Sequence, residues 1–171
     1  HAQALDINAT IVMPQETPFT KILSTEKWGA TVVLEGTDLS EAENRAVEIS
    51  TDENRSFIHP YDDEDIIRGQ GTVGLEFGTD VPDLDAVIIP IGGGGLFAGA
   101  GTALKALNPE IEIFGVEAAA YPSMSEAVSG GTISSGGVTV AEGIAVKRPG
   151  KLPRPIVEAL MTEIFTVGES E

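Results

Sequence analysis

The sequence has 171 residues, of which 42% are hydrophobic, and 27 acidic against 10 basic side chains give a net charge of −17 at pH 7. The length suggests one domain or two small ones, and no apolar run approaches the ~20 residues that a membrane span requires. Such negative charge disfavours binding to nucleic acid or membranes, and the absence of cysteine excludes disulfides and cysteine-ligated metals.

The first third of the chain alternates between strand-like and helix-like segments. Short, apolar and β-branched stretches predict three strands, at residues 9–13, 30–34 and 56–58. Two helices are predicted between them, at residues 17–28 and 38–50. The first helix should begin with Thr17 as its N-cap and Pro18 at its first helical position. This β-α-β-α-β order favours a parallel sheet.

The remaining two thirds continue the alternation after a break at residues 59–61, where His59 is expected to be a structural turn residue. Four helices are predicted, at residues 63–77, 96–107, 122–128 and 155–162. Three strands are predicted, at residues 85–91, 112–117 and 165–167. Residues 85–91 are nearly all apolar, as in a strand buried on both faces of a sheet. The Gly/Ser-rich residues 129–137 are expected to form a surface loop.

The strongest chemical signal is a run of four glycines, Gly92, Gly93, Gly94 and Gly95, between a predicted buried strand and a predicted helix that begins at Leu96. Glycine lets the backbone approach a ligand closely and adopt positive φ angles. Several backbone N–H groups can then converge on one anion, next to the positive end of the helix dipole. The run therefore predicts a phosphate site, in which a side chain at Gly94 would take the place of the anion.

Two other interpretations of the glycine run are possible. It could be a tight turn without a ligand, although four glycines carry a large entropic cost for a mere turn. It could also belong to a Rossmann-type dinucleotide-binding domain, because Gly93-x-Gly95-x-x-Ala98 fits the relaxed fingerprint and Glu117 ends the next strand. Any long glycine run matches that fingerprint by chance, and a dinucleotide loop normally follows the first strand of its domain.

Six stretches together resemble the threonine dehydratase branch of the fold-type II pyridoxal-phosphate enzymes. They are ATIVMP at 9–14, GQGT at 69–72, DLDAV at 83–87, GGGGL at 92–96, GVE at 115–117 and AEGIAVKRPG at 141–150. Their order and spacing resemble the family's over nearly the whole chain. Many related enzymes share the glycine run. Residues 142–150 are more specific, because they resemble threonine dehydratases and differ from cysteine synthases. Serine racemases are the closest competing group.

The resemblance implies an α/β fold of three-layer open parallel sheets with flanking helices, similar to the tryptophan synthase β chain and here incomplete. Residues 1–58 would belong to the small domain and residues 59–171 to the large domain. The loop of Gly92, Gly93, Gly94, Gly95 and Leu96 would hold the phosphate of pyridoxal phosphate. The implied reaction is the elimination of water and ammonia from L-threonine to give 2-oxobutanoate, and a homo-oligomer is expected.

The sequence departs from the family's pattern at the catalytic lysine. The family's Schiff-base lysine lies in a Ser-Phe-Lys-x-Arg-Gly type motif, which does not occur in these 171 residues. The five lysines present match non-catalytic positions of the family: Lys21, Lys27, Lys105, Lys147 and Lys151. We therefore expect an internal fragment that is inactive alone, or else a non-catalytic folded remnant or binding domain.

Acidic side chains raise the separate question of a metal. In some family members an acid at the Glu117 position joins a second acid six residues later, where this chain has Ser123. Glu117 is thus a lone candidate ligand, and no metal is expected. The acidic run at residues 62–65 stands where a helix is predicted to begin, so we expect solvated side chains that favour the helix dipole.

The excess of acidic residues is spread along the chain and is accompanied by only five lysines. High salt screens the repulsion among such charges, so the composition favours a halophilic, salt-adapted protein. The first six residues lack the basic and apolar regions of a signal peptide, and we expect a cytoplasmic protein.

Overall fold

The computed structural model of the chain describes residues 1–170. These residues form two compact units, His1–Ile58 and a second that begins at His59. Both units contain parallel sheets with helices between the strands, so the prediction of the α/β class is confirmed. Within residues 1–170, no helix combines the length and the apolar character that crossing a membrane would take.

The first unit is built on a two-stranded parallel sheet. Its elements are a short 3₁₀ turn at Gln3–Leu5, β1 at Thr10–Met13, α1 at Phe19–Lys27, β2 at Thr31–Leu34 and α2 at Leu39–Asp52. Thr10 pairs with Thr31 and Met13 with Leu34. Asp38 caps α2 by accepting hydrogen bonds from the backbone N–H groups of Ser40 and Glu41, at 3.0 and 3.1 Å.

Two expectations for the first unit are wrong. Pro18 is the N-cap of α1 and lies outside the helix, with ψ 131°, and Thr17 makes no capping bond. Because the ψ angle of Pro18 is extended, the helix begins one residue later than predicted, at Phe19. Residues 56–58 form no strand, because no neighbouring strand pairs with them, and Ile58 is largely exposed.

The second unit contains a three-stranded parallel sheet with the strand order β3-β4-β5. Its elements are α3 at Glu64–Asp80, β3 at Ala86–Pro90, α4 at Gly95–Leu107, β4 at Glu112–Ala118, α5 at Ser123–Val128, a 3₁₀ turn at Glu142–Ile144, α6 at Pro153–Leu160 and β5 at Glu163–Val167. The ends of α3, α6 and β5 differ by two or three residues from those predicted. As expected, residues 129–137 contain no helix or strand.

The core of the second unit lies between one face of its sheet and the helices α4 and α6. It is formed by Ile89, Ile91, Phe97, Ala100, Leu104, Ile111, Ile113, Met124 and Val157. The prediction that residues 85–91 are buried on both faces is wrong, because Ile89 is 5% exposed while its neighbour Ile88 is 67% exposed. Successive side chains of a strand point to opposite faces, and the helices cover only one of them.

Small residues let α3 and α4 pack with their backbones in close contact. A Cβ added at Gly74 would overlap the carbonyl oxygen of Ala100, and one added at Gly99 would overlap that of Ile67. A Cβ at Gly69, on the same helix as Gly74, would meet nothing within 4 Å. The two helices are thus held at a distance that only glycine permits at the contact.

We expect Gly74→Ala to destabilise the chain by about 1–3 kcal/mol, because the added methyl group forces α3 away from α4. For a chain of this size that is a fall of roughly 3–10 °C in Tm, measurable by thermal unfolding. Gly69→Ala is the matched control and should leave Tm unchanged or raise it, since alanine is the better helix former. Equal shifts in the two variants would contradict the close packing.

Candidate phosphate-binding site

The glycine loop joins the C-terminal end of β3 to the first turn of α4. Ile91 is fully buried, and its N–H donates to the carbonyl oxygen of Val116 at 2.8 Å, which fixes the loop to β4. Gly94 is the N-cap of α4 with φ 96°, a conformation that favours glycine. The carbonyl oxygen of Gly94 accepts the first helical hydrogen bond, from Ala98 N–H at 2.9 Å.

Six consecutive N–H groups in this loop make no hydrogen bond within the described chain. They belong to residues 92–97, and none of them donates to an acceptor in residues 1–170. Gly93, Gly94, Gly95 and Phe97 are buried, and Gly92 is partly so. A buried donor without a partner costs about 1–3 kcal/mol, and the start of a helix binds anions. The free donors are therefore suited to the oxygens of a phosphate group.

The space beside each glycine is filled by protein. An added Cβ would meet the Tyr61 ring at Gly93, and Met124 and Pro153 at Gly94. The expectation that a side chain at Gly94 would take the place of an anion is therefore wrong, because that side chain would point into the core. Close packing explains why these residues are glycines, but it does not explain the unpaired N–H groups.

One wall of the loop is a turn that His59 stabilises. Its Nδ1 accepts hydrogen bonds from the N–H groups of Tyr61 at 3.2 Å and Asp62 at 2.8 Å, and the rings of His59 and Tyr61 meet edge to face at 4.6 Å. The prediction that His59 is a structural turn residue is confirmed. The turn places the Tyr61 ring against Gly93.

Residues 144–152 form the other wall and are bonded to the first. The Tyr61 hydroxyl donates to the carbonyl oxygen of Arg148 at 3.1 Å, and Leu152 N–H donates to Asp62 Oδ1 at 2.8 Å. Gly150 N–H donates to the carbonyl oxygen of Gly93 at 2.9 Å. These three bonds link the turn, the loop and residues 148–152 into one frame.

The acidic run at residues 62–65 has three different roles. Asp63 caps α3 by accepting from the N–H groups of Asp65 and Ile66, at 2.8 and 3.0 Å. Glu64 and Asp65 are exposed and pair with Arg68, as expected of solvated residues in a first helical turn. Asp62 belongs to the frame around the loop, a role that the sequence pattern did not indicate.

Glu117 is fully buried at the end of β4 and serves as a cap for α5. Its Oε1 accepts from Met124 N–H at 2.7 Å and its Oε2 from Ser125 N–H at 3.0 Å. Ser123, six residues after Glu117, donates its hydroxyl to the carbonyl oxygen of Val146 at 2.8 Å. Both carboxylate oxygens are thus engaged within the chain, and residues 1–170 contain no cluster of three or more potential metal ligands.

An open pocket of about 450 Å³ lies in the first unit. Its lining is mostly apolar and includes Ile7, Ile11 and Trp28. The pocket offers fewer convergent polar groups than the loop, and we assign it no chemistry.

A comparison with protein families shows the family to which the chain belongs. The family model of pyridoxal-phosphate dependent enzymes matches residues 1–171. The chain belongs to this family. The resemblance to its fold-type II members is confirmed, and the cofactor of the family is pyridoxal phosphate. The match favours this cofactor over a dinucleotide, as does Glu117, whose oxygens are not free to bind a ribose.

The chain is similar to L-threonine ammonia-lyases, a threonine deaminase and a serine racemase. It is 42% identical over 172 residues to the L-threonine ammonia-lyases of Thermotoga maritima and Geobacter sulfurreducens, covering 99% of this chain and 43% of each relative. The processed threonine deaminase isoform 2 from Solanum lycopersicum superposes with a TM-score of 0.86 at 37% identity, covering 97% of this chain and 46% of that one. Maize serine racemase gives a TM-score of 0.91 at 29% identity.

The chain spans about half the length of the relatives it matches. The similarity therefore covers nearly all of this chain but only about half of each relative. Activity, substrate and partners belong to whole proteins of the family.

Proposed function

We propose that this chain supplies the phosphate-binding half of a pyridoxal-phosphate dependent threonine/serine dehydratase. The proposed reaction eliminates water from L-threonine, and hydrolysis of the eliminated product then consumes one water, so that the net products are 2-oxobutanoate and ammonia. The observation that carries the proposal is the set of unpaired N–H groups at residues 92–97. The similarity to L-threonine ammonia-lyases supports the substrate class.

In this proposal the N–H groups of Gly92, Gly93, Gly94, Gly95 and Leu96 hold the phosphate group of the cofactor. The first turn of α4 adds the positive end of its dipole, which favours a dianion further. The frame made by Tyr61 and residues 148–152 orients the donors before the phosphate arrives, so that little ordering is required on binding.

Pyridoxal phosphate supplies an electron sink for removing the α-proton of an amino acid. The role of this chain is to anchor the cofactor at its phosphate and to exclude water from that end by the packing around Gly93 and Gly94. The family's lysine motif, which provides the amine that holds the cofactor covalently, does not occur in these 171 residues. That absence favours, as a second candidate, a non-catalytic binding domain for phosphate-bearing ligands.

Several further properties belong to the same proposal. Residues 1–58 are the small-domain portion and residues 59–171 the large-domain portion of the enzyme. The protein is a cytoplasmic homo-oligomer that binds a small amino acid. Its acidic surface is an adaptation to high salt, because mobile ions screen the repulsion among its excess negative charges.

We expect Leu96→Pro to weaken the binding of inorganic phosphate or pyridoxal phosphate by about tenfold or more. Proline removes one charge-assisted N–H bond, worth about 1.5–3 kcal/mol, from a first helical turn where that N–H has no partner in the helix. The chain already accepts Pro153 and Pro155 in the first turn of α6. Calorimetric titration of the purified chain measures the effect.

Leu96→Ala is the matched control, because it removes the same leucine side chain but keeps the N–H. It should bind within about threefold of the unaltered chain, a difference of less than 1 kcal/mol. Equal affinities of the proline and alanine variants, or chemical shift changes that avoid residues 92–97, would show that the loop is only a turn.

The 171-residue chain alone should release no measurable 2-oxobutanoate from L-threonine in the presence of pyridoxal phosphate. The expectation follows from the missing lysine motif, since no amine is available for the covalent step. The Thermotoga maritima enzyme assayed in parallel is the positive control. Turnover by this chain in the ordinary enzyme range of ~1–10³ s⁻¹ would refute the expectation.

Salt should stabilise the chain. Raising potassium chloride from about 0.1 M to 2 M shortens the Debye length from ~10 Å to below 3 Å and screens the repulsion among the excess acidic groups. Ion pairs such as Arg45–Glu48 and Arg68–Glu64 are exposed and lose little by screening. We expect Tm to rise with salt, and a flat or falling curve would exclude a salt-adapted surface.

A further inference from the structure

Glu117 is a buried carboxylate to which the proposed function gives no part. It stands near the end of β4, the central strand of the three-stranded sheet, and its side chain is fully buried on the same face as Ile113. No ion pair of residues 1–170 includes it. Its partners are two backbone N–H groups, those of Met124 and Ser125. A charge buried without a cation costs free energy, so a carboxylate at this position indicates a specific role.

The helix start that this carboxylate holds contacts the glycine loop at two points. Met124 is fully buried, and a Cβ added at Gly94 would lie 2.5 Å from its Cε atom. Ser123 is also fully buried and donates its hydroxyl to the carbonyl oxygen of Val146. The Cγ2 atom of Val146 would lie 3.0 Å from a Cβ at Gly92. The start of α5 therefore supports the first and the third glycine of the loop.

The preceding residue of β4 fixes the same loop. Val116 accepts a hydrogen bond from Ile91 N–H at 2.8 Å, immediately before Gly92. Residue 116 thus holds the beginning of the loop, while residue 117 holds the helix that packs against it. Because protein interiors are densely packed, a displacement of α5 would be transmitted to the glycines.

We propose that Glu117 is the positioning residue of the glycine loop. Its two oxygens hold the first turn of α5, and Met124 and Ser123 then keep the backbone at Gly92 and Gly94 in the conformation in which the N–H groups stay unpaired. The carboxylate makes no hydrogen bond to the loop and acts on it through α5. The proposal deepens the proposed function, because it rests on the same loop as the phosphate site.

A carboxylate suits this role better than an amide. Two N–H donors require two acceptor oxygens, whereas a glutamine side chain has one oxygen and one NH₂ group. Glu117→Gln is nearly isosteric, so it turns one of the two bonds into a contact between two donors. The change also removes a negative charge close to an anion site. The loss of Coulomb repulsion alone predicts tighter phosphate binding, whereas the loss of positioning predicts weaker binding.

Calorimetric titration of the full chain with inorganic phosphate tests this sign. We expect Glu117→Gln to weaken binding by about tenfold, which corresponds to the loss of one charge-assisted N–H bond to the anion. Ile111→Val is the control for lost stability, because Ile111 is 1% exposed next to the opposite end of β4. It should lower Tm by roughly 1–6 °C and leave the affinity within about twofold. Unchanged or tighter binding by Glu117→Gln would overturn the proposal.

Ser123→Ala is a second test that keeps the carboxylate. It removes the hydrogen bond to Val146 beside the loop and should weaken phosphate binding by about threefold. This variant decides alone if Glu117→Gln does not fold. An affinity equal to that of the unaltered chain would then count against the positioning role.

Amide chemical shifts of the phosphate-free chain separate this proposal from the proposed function. In Glu117→Gln the N–H signals of Gly92 and Gly94 should shift, although neither glycine is bonded to residue 117, and Ser123→Ala should shift that of Gly92. In Ile111→Val these signals should stay in place. Loop signals that do not move in either test variant would overturn the positioning role even where phosphate binds. Loop signals that move in a chain that binds no phosphate would refute the phosphate site and support the positioning role.

Discussion

The second unit depends on one constraint, which is that six consecutive backbone N–H groups are held together without a partner. Such donors are costly when buried, at about 1–3 kcal/mol each, and a flexible loop would rotate them toward water or toward nearby carbonyls. Here the buried Ile91, bonded to Val116, fixes one side and the first turn of α4 fixes the other. The N–H of Gly150 donates to the carbonyl oxygen of Gly93, and the Tyr61 ring packs against Gly93. These contacts prevent the loop from changing conformation.

An anion site made of N–H groups is also compatible with the charge of this protein. A net charge of −17 repels a phosphate dianion at long range, and mobile ions screen that repulsion at distances beyond about 10 Å at 0.1 M salt. Hydrogen bonds from the backbone act at contact distance and are less affected by screening. Added salt should therefore weaken the repulsion more than the attraction, unlike at a site that relies on exposed lysines.

The sequence indicated the loop because its signal is local. Four glycines between an apolar strand and a helix predict both the position and the chemistry of the site. The walls were not predictable, since Tyr61 and Arg148 are 87 residues apart and nothing local relates them. The direction of a side chain at Gly94 depends on its φ of 96°, which only the fold determines.

The prediction that β3 is buried on both faces was wrong for a related reason. The apolar sequence of residues 85–91 is typical of a strand covered on both faces, whereas the helices of this chain cover one face only. Pattern reasoning thus described the environment of a complete parallel sheet. In contrast, residues 56–58 were too few to specify a strand, because a strand needs a neighbour to pair with and the sequence cannot supply that information.

The other helices of this chain differ from α4, whose first backbone N–H groups are unpaired. Carboxylates accept from the first turns of three helices: Asp38 for α2, Asp63 for α3 and Glu117 for α5. α1 begins at exposed residues, where water can accept, and α6 begins with two prolines that reduce its free donors. α4 alone among these six helices has a first turn that is buried and has no capping side chain. In a chain with 27 acidic residues, a helix start that receives no internal carboxylate is one left open to an external anion.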